Sequence, residues 1–260
     1  MRLFAFDIDS TLYDEEAHCF PEDTVQSLAQ LQTLGHMVVV ATGRPPCKAR
    51  QIYDAGIHPD FLICNNGHCI FDSEGKVIYE RRFSKEQSEK ITKFCQNHGM
   101  GLFWSYNDDV HVYYRTKALE HLIYRNKRIN FCFGPCGIHR EEEPLGACIS
   151  GNNEQLKLFE EEFREYTSVI RVNSEYGDLV LKGSSKWDAI NMLCDKLSIL
   201  HADTMAFGDN FNDAEMIINS GTGVAMGNGT PELKAVADYI TTNVGEKGIY
   251  NALKHFQILQ

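Results

Sequence analysis

The sequence predicts an α/β fold: a doubly wound, Rossmann-like parallel sheet into which an α+β module is inserted. Three observations point there. Short, continuously apolar runs alternate with helix-period segments at both ends of the chain, as in parallel strands covered on both faces. Between about residues 80 and 183 the alternation lapses, and strand-like stretches follow one another directly. At 260 residues the chain also exceeds the commonest domain size, which favours a domain plus an insertion. Residues 1–80 and 183–260 are therefore expected to form one discontinuous core, and residues 81–182 the insert.

The first strand is the run Phe4-Ala5-Phe6, which ends in Asp7-Ile8-Asp9-Ser10-Thr11. Residues 21–34 place Val25, Leu28 and Leu31 on one stripe, with Gly35 positioned to stop a helix, and residues 37–41 form a second apolar strand. A helix over 45–55 and a strand over 61–64 follow, the strand stopping at Asn65-Asn66-Gly67. In the insert, Ser84 and Gln87 have capping-box spacing and open a helix containing Ile91, Phe94 and Cys95, closed by Gly99. Strands at 101–104 and 110–114 come next, then an irregular polar region over 126–144. A strand at 147–150, a helix over 154–166 and strands near 169–172 and 179–181 complete the insert. Alternation returns with a helix over 186–197, whose Ala189, Ile190, Leu193, Cys194 and Leu197 share a stripe. A strand at 204–207 ends in Gly208-Asp209, and runs at 223–226 and 239–241 finish the sheet.

The formal charge of −11 argues against a nucleic-acid surface or an anionic membrane patch, which need clustered Lys and Arg. Nine cysteines lie scattered through the chain; Cys64, Cys95, Cys148 and Cys194 read as small buried hydrophobes in a reducing compartment. Cys132, Cys136 and His139 match no common zinc spacing. Without a basic leader or a membrane-length apolar run, the protein is expected to be cytoplasmic.

The chemistry concentrates where the predicted core strands end. Asp7 and Asp9 lie two apart on an extended chain, so their carboxylates converge and repel unless a cation or a shared proton intervenes. A divalent, oxygen-ligated metal is the simplest remedy. Thr42 offers a hydroxyl and Gly43 a backbone N–H that can approach an anion closely. Asp209 and Asp213 add carboxylates, and Lys186, at its helix start, adds a compact positive charge. Lys182 competes for that role, but the Ser185-Lys186-Trp187-Asp188 context favours Lys186. Arg44 reads equally as a substrate contact or as a partner for an acidic neighbour. In the insert, Tyr106, Asn107, Asp108 and Asp109 read as an exposed turn, Phe103, Trp104, Tyr113 and Tyr114 as packing residues, and His111 and His121 as structural.

Asp7-x-Asp9-x-Thr11, Thr42-Gly43-Arg44, Ser185-Lys186 and Gly208-Asp209-x-x-Asn212-Asp213 occur in the order that marks the haloacid dehalogenase superfamily, and the chain resembles its Cof-type phosphatase branch. Asn66-Gly67, Gly223 to Asn228 and Gly248 also resemble that branch, whose large α/β (C2B-type) cap falls where the insert lies. The resemblance implies a phosphatase acting on a small phosphorylated metabolite, a sugar phosphate or similar. Asp7 would be the nucleophile, forming an aspartyl-phosphate, and Asp9 the general acid and base. Mg²⁺ would be held by Asp7, the Asp9 backbone carbonyl, Asp209 and, directly or through water, Asp213; Thr42, Gly43, Lys186 and Asn212 would bind the phosphoryl group. Arg44 and Asn66 are candidate substrate contacts. A sugar phosphomutase and a catalytically retired metabolite-binding regulator are the alternatives. Ser10 departs from the glycine usual in the family at that position.

Overall fold

The computed structural model describes residues 1–125, 131–133, 142–171 and 175–259. Two compact units emerge, one comprising Met1–Thr42, Gln51–Ile78 and Ser185–Gln260, the other Gly43–Arg50 and Tyr79–Ser184. Residues 43–50, adjacent in sequence to a core strand, thus belong with the inserted unit.

In chain order, the first segment contains β1 (Leu3–Phe6), α1 (Glu22–Thr33), β2 (Met37–Ala41), α2 (Pro46–Ala49), β3 (Phe61–Cys64), β4 (Cys69–Asp72) and β5 (Val77–Glu80). The insert contributes α3 (Lys85–Asn97), β6 (Gly101–Ser105), β7 (Val110–Tyr114), α4 (Lys117–Arg125), β8 (Phe131–Phe133), β9 (Gly146–Ser150), α5 (Asn153–Phe163), β10 (Thr167–Arg171) and β11 (Tyr176–Leu181). The chain returns through α6 (Lys186–Leu197), β12 (Thr204–Gly208), α7 (Ala214–Asn219), β13 (Thr222–Ala225), α8 (Pro231–Lys234), β14 (Tyr239–Ile240) and α9 (Gly248–His255).

The larger sheet has eight strands in the order β14-β13-β12-β1-β2-β3-β4-β5. From β14 through β3 every neighbouring pair is parallel, and β4 turns back antiparallel to β3. β1 sits in the middle with all four residues buried, which is why its sequence is continuously apolar and not alternating. Phe6 and Phe207 are register partners on neighbouring strands, and their rings stack at 4.8 Å. A fully buried phenylalanine contributes roughly 1.5–3 kcal/mol relative to an exposed one, so this pair fixes the strand whose next residue is Asp7.

The insert builds a six-stranded sheet, order β10-β11-β9-β6-β7-β8, antiparallel apart from the parallel pair β7–β8. Its core gathers Phe83, Ile91, Trp104, Leu156 and Phe159, and the Trp104 indole donates to Thr92 Oγ1 at 3.0 Å. Ser84 and Gln87 form the capping box at the start of α3. Trp104 and Tyr113 lie in that core with Tyr114 packed against it, as packing residues should. The segment read as an exposed turn is largely buried: Tyr106 joins the core and Asp109 is 8% exposed, leaving only Asp108 fully in solvent, paired with Arg50 at 3.0 Å. Where the insert begins and ends, Arg81 Nη1 donates to the carbonyls of Lys182 and Gly183 and to Ser184 Oγ, at 2.7, 3.1 and 3.1 Å.

Several elements depart from their predicted form. The helix expected over 45–55 is a short α2 followed by a 3-10 stretch, Arg50–Ala55. Proline occupies its first turn, and the single cycle of α-helix after it is too short to propagate. The strands β4, β5 and β8 and the helices α4, α7, α8 and α9 have no counterpart among the predicted elements, β8 falling inside the stretch read as irregular. Cys136, His139 and Val172 lie outside the described residues, as does the side chain of His121.

Candidate active site

Asp7 leaves β1 still paired, its amide donating to the Phe207 carbonyl at 3.0 Å, and the residue is 5% exposed. The chain then folds over the Ile8 carbonyl, which accepts from the amides of Thr11, Leu12 and Tyr13, while Ser10 donates to Tyr13 O. That turn requires a left-handed residue, and Ser10 supplies it at φ 59°. Glycine takes that conformation at no steric cost, so the turn asks for a small, left-handed residue on conformational grounds.

Lys186 is the first residue of α6, where Ser185 caps the helix by accepting from the Asp188 amide. Its side chain is fully buried, and Nζ donates to Asp7 Oδ1 and to Asp213 Oδ1, each at 2.6 Å. Of the two competing lysines it is Lys186 that enters this cluster; Lys182 is exposed. Asp213 spends its other oxygen on the loop, Oδ2 accepting from the amides of Asp209 and Asn210 at 3.0 and 3.1 Å. Gly208 makes this close approach possible, because a Cβ there would meet the Asp213 carboxyl carbon at 2.7 Å.

Carboxylate oxygens of Asp7, Asp209 and Asp213 lie within 4.8 Å of one another, and the Thr11 hydroxyl donates to Asp209 Oδ1 at 3.4 Å. Burial is the main cause that pushes the Asp7 carboxyl up to about 7, with Asp213 and Asp9 adding to it and Lys186 opposing. Burial likewise raises Asp209 to about 9, reinforced by Asp7 and Asp213. For Lys186, burial works against the charged form, but Asp213 and Asp7 outweigh it and hold the ammonium above the ordinary lysine value. One lysine among these acids leaves the cluster short of positive charge. An all-oxygen donor set with excess negative charge fits a hard divalent cation such as Mg²⁺.

The neighbouring strand ends complete the surroundings. Thr42, at the end of β2, is buried, its amide donating to Ile63 O at 2.9 Å and its carbonyl accepting from the Asn66 amide at 3.0 Å. Asn65 and Asn66 are both left-handed, at φ 48° and 53°. Asn212, on the same loop as Asp209 and Asp213, donates from Nδ2 to Asn66 Oδ1 at 3.2 Å. The structure thus brings Asp7, Asp209, Asp213 and Lys186 together directly and links Thr42, Asn66 and Asn212 through hydrogen bonds, all within one unit. Asp9 is half-buried and close enough to Asp7 to raise its pKa. Gly43 and Arg44 group with the other unit, where Arg44 is 9% exposed. Sequence reasoning gave no part to Gly208 or to the Thr11 hydroxyl, although both sit inside the motifs that drew attention.

Residues 4–253 match the haloacid dehalogenase-like hydrolase family. YkrA of Bacillus subtilis (strain 168) is 32% identical over 275 residues, covering 100% of this chain and 99% of its own. The 5-amino-6-(5-phospho-D-ribitylamino)uracil phosphatase YcsE of the same organism is 28% identical over 257 residues, covering 98% and 96%. Among solved structures, BT4131, described as a HAD subclass IIB sugar phosphatase, superimposes with a TM-score of 0.89 at 27% identity, covering 100% of both chains.

Proposed function

The chain belongs to the haloacid dehalogenase-like hydrolases, and from that premise we propose that it is a Mg²⁺-dependent phosphatase that hydrolyses a small phosphorylated metabolite through an aspartyl-phosphate on Asp7. The observation that carries the reading is the buried cluster in which one ammonium, Lys186, is shared by Asp7 and Asp213 beside Asp209.

An oxygen of the Asp7 carboxylate attacks phosphorus, and the ester P–O bond breaks as Asp9 gives its proton to the departing oxygen. Asp9, now a carboxylate, takes a proton from water; the water oxygen attacks phosphorus and the bond to Asp7 breaks, returning both residues to their starting states. Asp7, Asp209, the Asp9 carbonyl and Asp213, directly or through water, would hold the cation, while Asp213 also accepts from Lys186 and the loop amides. When bound, Mg²⁺ supplies positive charge that keeps Asp7 ionised and offsets the phosphate's own charge. Lys186, Thr42 and Asn212 bind the phosphoryl oxygens. Lys186 also holds the Asp7 carboxylate in one orientation at 2.6 Å, which lowers the entropy cost of attack.

The two relatives named for an activity act on different compounds, an aminouracil phosphate and a sugar phosphate, so the reading commits to a small phosphorylated metabolite as the class. The test is phosphate release from para-nitrophenyl phosphate and from a set of phosphorylated sugars, nucleotides and vitamins, with and without Mg²⁺. Magnesium-dependent release that Asp7→Asn abolishes supports it; the same rate in Asp7→Asn would sink it.

A further inference from the structure

The segment after β3 does more than end a strand. Asn65, Asn66 and Gly67 take three successive positive φ values, 48°, 53° and 99°, and all three residues are buried. Asparagine and glycine tolerate a left-handed backbone better than other residues, but as single residues and not in runs, so three in succession persist only where the surroundings hold them. Three contacts do so. The Asn66 amide donates to the Thr42 carbonyl at 3.0 Å. Its side-chain oxygen accepts from Asn212 Nδ2 at 3.2 Å. At Gly67 the backbone lies against Ser185, whose carbonyl oxygen would be 2.1 Å from a Cβ, so no side chain fits between this turn and the start of α6.

We infer that Asn66 is a positioning residue: it ties the Thr42 and Asn212 loops to one another, with Gly67 seating it against the Ser185–Lys186 helix start. The inference rests on the phosphatase reading and gives Asn66 a task other than touching substrate. Asn212 presents an amide with a donor end and an acceptor end, and only the donor end suits a phosphoryl oxygen. One N–H of that amide is committed to Asn66, so turning its oxygen toward an anion would break the 3.2 Å bond. Asn66 is 1% exposed and held at its own amide, so it gives Asn212 a fixed anchor. Without it both amide orientations become accessible, one of them repelling the substrate.

A double-mutant cycle separates this role from simple support of the fold. Asn66→Gly keeps the left-handed backbone and removes the side chain that anchors Asn212, and Asn212→Ala deletes what the anchor holds. With para-nitrophenyl phosphate and saturating Mg²⁺, Asn66→Gly should lower kcat/KM about tenfold, the scale of one hydrogen bond. In the Asn212→Ala background the same change should cost almost nothing, with Mg²⁺ affinity by calorimetry the same in all four proteins. Equal losses in both backgrounds, or an unchanged rate in Asn66→Gly, would overturn the inference while wild-type turnover leaves the phosphatase reading standing. Absence of turnover in the wild type would overturn both.

Discussion

The Lys186 ammonium lies 2.6 Å from the Asp7 carboxylate, although 179 residues separate them in sequence. Neither group is solvated, so each depends on the other. Removing one partner of a buried pair leaves an uncompensated charge and typically costs about 3–5 kcal/mol. Lys186→Met, which preserves volume and removes the charge, should therefore destabilise the metal-free protein by about that amount in urea titrations, and abolish turnover. A loss well under 1 kcal/mol would mean that the pair does not exist as described.

Stability and metal affinity should depend on pH in opposite senses. With no cation bound, burial raises the carboxyls of Asp7 and Asp209 from the ordinary carboxylate range to about 7 and about 9. Across this window the folded state holds more protons than the unfolded chain, so the contribution of these groups to stability falls as pH rises from about 4 toward 9. Mg²⁺ needs the ionised forms, so its affinity should strengthen by about tenfold per pH unit wherever its binding releases one proton. Melting temperatures with and without Mg²⁺ should differ more at pH 9 than at pH 6. An equal or smaller gain at pH 9 would contradict the charge distribution assigned to the cluster.

Ser10 is left-handed at φ 59°, a conformation that glycine takes at no steric cost. Ser10→Gly should stabilise by up to about 1 kcal/mol, strain relief being partly offset by the looser unfolded chain. Ser10→Val should destabilise by about 1–2 kcal/mol, because a β-branched residue tolerates positive φ poorly. Differential scanning calorimetry of the two variants decides it, and a reversed order would show that the turn is set by something other than backbone conformation.

How far the sequence reveals this molecule depends on how local the signal is. β1, β2, β3 and β12 are legible because central parallel strands are buried on both faces and must be apolar throughout. β5, half-exposed along Val77 to Glu80, carries no such mark. Helix α6 announces itself with Ser185 at its cap and a clean apolar stripe, whereas α7, six residues long, is too short for a period to show. The same contrast holds in the site. Asp7, Asp9, Lys186, Asp209 and Asp213 are visible as charged residues at strand and helix ends. The part played by Gly67 exists only as a close approach to the Ser185 backbone, distant in sequence, and that of Gly208 only as room for the Asp213 side chain to fold back over its own loop, neither of which residue identity can express. Tyr106 and Asp109 misled for a related reason: they look like turn residues, but Tyr106 joins the insert's own core and Asp109 is buried, its carboxylate accepting from Cys132 Sγ at 3.6 Å.

The central claim is that Asp7 carries the phosphoryl group. Para-nitrophenolate leaves without needing a proton, so Asp9→Asn should still be phosphorylated by para-nitrophenyl phosphate while losing the base that activates water. Acid-quenched Asp9→Asn, digested and mapped by mass spectrometry after borohydride reduction of the acyl phosphate, should show one modified residue, Asp7. A phosphoryl group on any other residue, or an unmodified Asp7 in a protein whose wild type turns over, would contradict the account.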